Sequence, residues 1–126
     1  MKDKEILAAE INVTPTTHLK GDDVECDIDG RKVHDDAIRL GRDEDYTLTF
    51  KLDSQGAYKW AAQDAFVARN GKCPRAGAPS NGRYQIVDRQ DYVLTVEARG
   101  NGNREVIHYR LNFDNGKTCD PIIIRD

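Results

Sequence analysis

Two Asn-Gly pairs in the last third of the chain, Asn101-Gly102 and Asn115-Gly116, restrict what this sequence can fold into more than any other feature. Asn-Gly between alternating apolar runs is the strongest short-range hairpin signal, because a type I′ turn needs positive φ at both central positions. If both pairs are such turns, residues 92–124 make a three-stranded antiparallel meander. The first turn sets Val96 opposite Ile107, Leu94 opposite Tyr109 and Tyr92 opposite Leu111, with Thr95–His108 and Val93–Arg110 on the other face. The second sets Asp114 opposite Lys117, Tyr109 opposite Ile122 and Ile107 opposite Ile124. One face then gathers Tyr92, Leu94, Val96, Ile107, Tyr109, Leu111, Phe113, Ile122 and Ile124. A one-residue slip would turn such a set toward water, so the register is a sharp expectation.

The rest of the chain reads as further short strands. Leu7, Ala9, Ile11 and Val13 alternate with polar or small neighbours over residues 5–14, and Pro15 should end that strand, since proline cannot donate to a ladder. Val24, Cys26 and Ile28 alternate with acids, and Asp29-Gly30 offers a two-residue turn that would set Cys26 against Val33. The connection over 34–45 has room for one brief strand at Ile38 and Leu40. Residues 46–53 form the clearest strand outside the meander, with Tyr46, Leu48, Phe50 and Leu52 pointing one way. Residues 57–68 fit either a strand with Tyr58, Trp60 and Ala62 inward or a short helix; the favoured reading is a strand through Trp60 followed by a helical turn, a short helix near 61–68. Residues 70–81 form a Gly- and Pro-rich loop, long enough to be of functional interest. Another strand follows at 82–88, around Tyr84 and Ile86, with Val87 on its opposite face.

Seven to nine strands with regular turn signals predict one all-β domain over residues 1–126, an antiparallel immunoglobulin-like β-sandwich, with a closed barrel as the alternative. The 126 residues suffice for a core without staples. Hydrophobic residues at 38% and charged residues at 33% fit a soluble globular protein. No run reaches the roughly 20 apolar residues of a membrane helix. The N-terminus lacks the apolar core of a signal peptide, so the chain reads as cytoplasmic, an exported mature form being the alternative. Cys26, Cys73 and Cys119 cannot all pair within one chain; they are thiols in a reducing compartment, or Cys73 and Cys119 bridge in an oxidising one.

The segment YRLNFDNGKTCDPIIIRD, with CPRAG upstream, resembles the tail of small proteobacterial proteins of unassigned function. Their common pattern is aromatic-x-Leu-x-Phe, a turn with Gly, then Asp-Pro-Ile-Ile. It is also similar to the PixA/AidA inclusion-body proteins, whose last strands end in a Gly-rich hairpin and Trp-Asp-Pro; here Cys119 stands in place of that tryptophan. Over residues 73–126 the resemblance implies a β-sandwich and carries no catalytic residue across. From the residues alone, Asp120 would face inward opposite Leu111 and accept backbone N–H groups, and Pro121 would mark a sheet edge.

Motifs for chemistry are few. Ser54 and Ser80 stand outside any GxSxG elbow. Cys73 sits in a loop flanked by basic residues, but sequence places none of the three histidines beside it as a base. His34, Asp35 and Asp36 could hold a divalent cation with Asp27 and Asp29, although alternation explains those two aspartates as the wet face of a hairpin. His108 falls on the polar face of the meander.

Charge is uneven. Residues 21–45 carry ten acids against four bases, whereas 66–87 carry Arg69, Lys72, Arg75 and Arg83 and no acid. A net charge of −3 and a pI near 5.6 argue against nucleic acid as partner. The favoured expectation is a non-enzymatic binding module that presents region 57–83 to a protein or glycan. Tyr58 and Trp60 would stack on the partner, and Arg69, Lys72, Arg75 and Arg83 would pair with its acids. No cofactor is implied. The alternative is a metal-dependent protein or enzyme using His34, Asp35 and Asp36. The Ile-rich strand at 121–124 would need covering by another strand or a second subunit, which makes it a route to a homo-oligomer.

Overall fold

A computed structural model of the protein describes residues 6–18, 21, 23–28, 38–53, 56–70 and 81–125. Ten strands run through them: β1 (Ile6–His18), β2 (Val24–Ile28), β3 (Ile38–Leu40), β4 (Asp45–Leu52), β5 (Phe66–Asn70), β6 (Tyr84–Arg89), β7 (Val93–Ala98), β8 (Glu105–Asn112), β9 (Thr118–Cys119) and β10 (Ile122–Arg125). They form a β-sandwich. The first sheet has the order β2-β1-β4-β7-β6; the second has the order β3-β10-β8-β5, with β9 also on β8. Leu48, Phe50, Leu94 and Val96 of the first sheet and Ile107, Tyr109, Leu111 and Ile123 of the second have no exposed surface. The rings of Phe50, Phe66 and Tyr109, 5.1–6.0 Å apart between centroids, join the two layers.

The sheets are mixed rather than wholly antiparallel, as an immunoglobulin-like pattern would have them. β1 pairs with β4 in parallel, from Ile6 opposite Asp45 to Val13 opposite Leu52, and β3 pairs with β10 in parallel. Parallel neighbours need a crossover. Here the chain leaves β2, lays β3 into the opposite sheet, and returns on the far side of β1.

The Asn101-Gly102 expectation is corrected. β7 and β8 belong to different sheets, β7 between β4 and β6, and β8 between β10 and β5. Gly102 has φ +82°, but Asn101 is not in the left-handed region, so the type I′ condition fails. The segment between the strands instead crosses the end of the sandwich and lies on the turn before β4. Gly102 donates to the Arg42 carbonyl (2.8 Å) and Gly100 to Asp45 Oδ1 (3.0 Å). Val96 and Ile107 both face the core, across it rather than beside each other. Tyr92, 42% exposed, leaves the predicted apolar set.

Gly100 is where that crossing comes closest to the turn. A Cβ there would stand 2.7 Å from the Arg42 carbonyl oxygen and 2.9 Å from Glu44 N. Both neighbours are backbone and cannot swing aside, so Gly100→Ala should cost about 1–3 kcal/mol. At Gly102 an added Cβ meets nothing within 4 Å, so only its backbone preference is at stake. Urea midpoints should therefore fall more for Gly100→Ala than for Gly102→Ala.

The second Asn-Gly does close an antiparallel hairpin, one residue out of the predicted register. Phe113 and Lys117 flank a three-residue loop, with the Phe113 N–H on the Lys117 carbonyl (2.9 Å) and only Gly116 at positive φ, +81°. This is the three-residue turn with a left-handed glycine. Ile122 faces His108 and Ile123 faces Ile107. The slip inverts the tail: Ile123 and Arg125 point inward, while Ile122 and Ile124 lie on the outer face. Leu111 pairs with Cys119, not Asp120; Asp120 is exposed and meets Arg110 at 3.2 Å. Nor is 122–125 an edge, because β3 covers Ile123–Arg125 on the side away from β8.

Three smaller corrections follow the same logic. β1 runs through Pro15, which pairs with Cys26 ahead of a bulge. The Val13 carbonyl bonds Asp53 N on the β4 side, so Pro15, two residues on, turns its missing donor to the side where β4 has ended. No helix occupies 61–68: residues 61–65 are irregular and β5 begins at Phe66, with Ala65, Phe66, Val67 and Ala68 all buried. Val87 is the extra residue of a bulge in the edge strand β6, between Ile86–Val96 and Asp88–Thr95. Residues 29–37 and Cys73 lie outside the described residues, and with them the Asp29-Gly30 turn and the Cys73–Cys119 bridge.

Candidate functional site

The described sequence-predicted binding residues, Tyr58, Trp60, Arg69 and Arg83, do not converge on one site. Trp60 has no exposed surface and stacks on Phe113, 5.5 Å between centroids and 21° between planes. Its backbone N–H donates to the Asp91 carbonyl (2.9 Å), while the Arg89 guanidinium caps the carbonyls of Trp60 and Ala61. Tyr58 is half-buried, edge-on to Phe113 at 5.2 Å. This aromatic trio seals one end of the sandwich. Arg83 sits at the other end, where it meets the Glu105 carboxylate at 2.5 Å and donates to the Arg99 carbonyl. Phe113 and Glu105 are separated by the length of β8, about 26 Å at 3.3 Å per residue. Arg69 lies between, opposite His108. Lys72, Arg75, His34, Asp35 and Asp36 lie outside the described residues. Among the described residues no three His, Cys, Asp or Glu side chains cluster as metal ligands would.

At the Arg83 end the structure buries a group that sequence reading missed. Arg125 is 1% exposed. Its Nε donates to Tyr84 Oη (2.9 Å), and its Nη1 donates to the carbonyls of Gly41 (2.7 Å) and Glu44 (2.8 Å). The guanidinium carbon stands 5.8 Å from the Tyr46 ring centroid and 5.5 Å from that of Tyr84. Tyr46 in turn donates to Glu44 (3.0 Å). The signal was available in the alternation: Arg125 follows Ile123 by two residues and shares its face.

The outer face of the second sheet is the other feature absent from the prediction. Since Ile107, Tyr109, Leu111 and Ile123 point inward, the residues between them point out. The registers stack them in rows: Arg39, Ile124 and Val106; Ile122, His108 and Arg69; Asp120, Arg110 and Val67. Val106 is 44% exposed. Beside Val106 and Ile124 lies a shallow cleft of about 190 Å³, also lined by Arg104, Glu105 and Arg125. The face thus carries an aliphatic centre within a basic border. Asp120 on this face is already engaged with Arg110. The clue in the sequence was the slipped hairpin, since only that register sends Ile122 and Ile124 outward.

No family model and no curated protein matches this chain. Two solved structures resemble it weakly. A multicopper oxidase shares 12% identity at a TM-score of 0.44; the match covers 93% of this chain and 44% of that one. The inclusion body protein PixA from Burkholderia cenocepacia J2315 shares 8% identity at a TM-score of 0.37, over 95% of this chain and 97% of that one. The chain spans less than half the length of the oxidase it matches.

Proposed function

We propose that this protein is an interaction module rather than an enzyme, and that it engages another protein through the outer face of its second sheet. The observation that carries this reading is the stripe of Val106, Ile122 and Ile124 bordered by Arg39, Arg69, Arg104 and Arg110. An apolar centre with a charged rim is the usual make-up of a protein interface. Of the residues first expected to bind, Arg69 reaches this face, while Trp60 belongs to the core. A glycan platform needs an open aromatic ring, and Trp60 offers none. Binding is favoured over catalysis by how other ionisable groups are used: Arg83, Arg89 and Arg125 tie the fold together.

The test is co-purification with the tagged full chain from cells that express it. A partner should be retained by the unaltered protein and by Tyr92→Ser, whose ring is exposed elsewhere. It should be lost with Val106→Asp, at least about tenfold in affinity. Because Val106 is 44% exposed, that variant should keep its melting temperature within a few degrees. Equal retention by Val106→Asp would overturn the reading.

A further inference from the structure

We infer that the partner presents an acidic, aliphatic segment, which places one apolar side chain in the cleft beside Val106 and Ile124 and its carboxylates against the arginine border. This rests on the reading of that face as the interface and goes further by naming what binds there. Three observations lead to it. First, size. The cleft holds about 190 Å³, below the roughly 300 Å³ at which small-molecule pockets begin. One leucine-sized side chain suits it better than a metabolite.

Second, lining. Val106 and Ile124 are cross-strand partners on the outer face, so together they make one side of the cleft apolar, with Ile122 next along β10. An apolar side chain lodged there would bury the most exposed aliphatic of the second sheet. Third, charge. Arg104 lines the cleft, and Arg39 and Arg69 extend the border along β3 and β5. The carboxylate of Asp120 on this face already answers Arg110. A segment with acids on either side of its anchor would complement Arg104 and Arg69, as charge matching at interface rims requires. Nucleic acid would satisfy the arginines but leave the aliphatic floor unused. Among the described residues this face also lacks the exposed aromatic ring on which bases stack.

The test uses the full chain and a short acetylated, amidated, fluorescently labelled peptide that alternates glutamate with leucine, read by anisotropy. Saturable binding is expected, weakening at least about fivefold between roughly 0.05 M and 0.3 M salt. Val106→Asp and Arg104→Glu should each weaken it about tenfold or more, and Tyr92→Ser should leave it unchanged. A control peptide with lysine for glutamate should not bind, nor should one with serine for leucine. Equal binding of the lysine peptide would overturn the inference, as would displacement of the probe by single-stranded DNA. It would equally fall if sedimentation showed self-association that Val106→Asp abolishes, since a second copy would then be the occupant. If a cellular partner is lost with Val106→Asp while the glutamate–leucine peptide does not bind, the interface stands and the assigned chemistry is wrong.

Discussion

Ile123→Asp should unfold the protein, whereas Ile124→Asp, one residue later, should leave it folded. Ile123 has no exposed surface and faces Ile107 between the sheets. An aspartate there loses the transfer free energy of a buried isoleucine and must bring a carboxylate into the core with no partner. Together these cost about 4–5 kcal/mol or more, comparable with the whole stability of many domains. Ile124 is partly exposed on the outer face beside Val106, where a carboxylate stays hydrated and has Arg39 as cross-strand neighbour. Its change should cost about 1 kcal/mol or less. Circular dichroism melts of the two variants decide between the registers, because the two-residue Asn115-Gly116 turn predicts the opposite result. Ile124→Asp should also behave as Val106→Asp does and abolish partner binding in a folded protein.

That reversal shows what alternation can and cannot reveal. The inward faces of β2, β4, β7 and β8 follow from Val24, Cys26 and Ile28, from Leu48, Phe50 and Leu52, and from Leu94, Val96, Ile107, Tyr109 and Leu111, all buried as their period of two requires. Alternation says which way a side chain points but not which strand lies beside it. Val96 and Ile107 satisfy the pattern equally well as hairpin partners and as contacts across a sandwich. Only the backbone angle at Asn101 decides, and asparagine permits positive φ without requiring it. The same ambiguity explains 57–68. Ala65, Phe66, Val67 and Ala68 are buried in succession, so no period separates strand from helix there. One residue of register hid both the outer-face stripe and the Arg125 cluster, since the expected pairing turned Ile122 and Ile124 inward and so sent Arg125 out.

Arg125→Ala should be as damaging as a large core truncation, although the residue closes the last described strand. From β10 of the second sheet its guanidinium reaches Tyr84 on β6 of the first sheet and the carbonyls of the turn that leads into β4. Removing it leaves two carbonyls and a hydroxyl without their donor, and it empties the space between the Tyr46 and Tyr84 rings. Losing these charge-assisted hydrogen bonds together with the packing of a large buried side chain costs about 3–5 kcal/mol. For a chain of this size that lowers the melting temperature by about 10–20 °C. Arg125→Lys should recover less than half of the loss, since an ammonium cannot span the Tyr84 hydroxyl and both carbonyls in the plane the guanidinium occupies. Arg125→Met restores packing but no donors and should fall between alanine and arginine. A loss below about 1 kcal/mol for alanine, with an unchanged denaturant slope, would mean that the arginine is hydrated in solution and that the two sheets close this end without it.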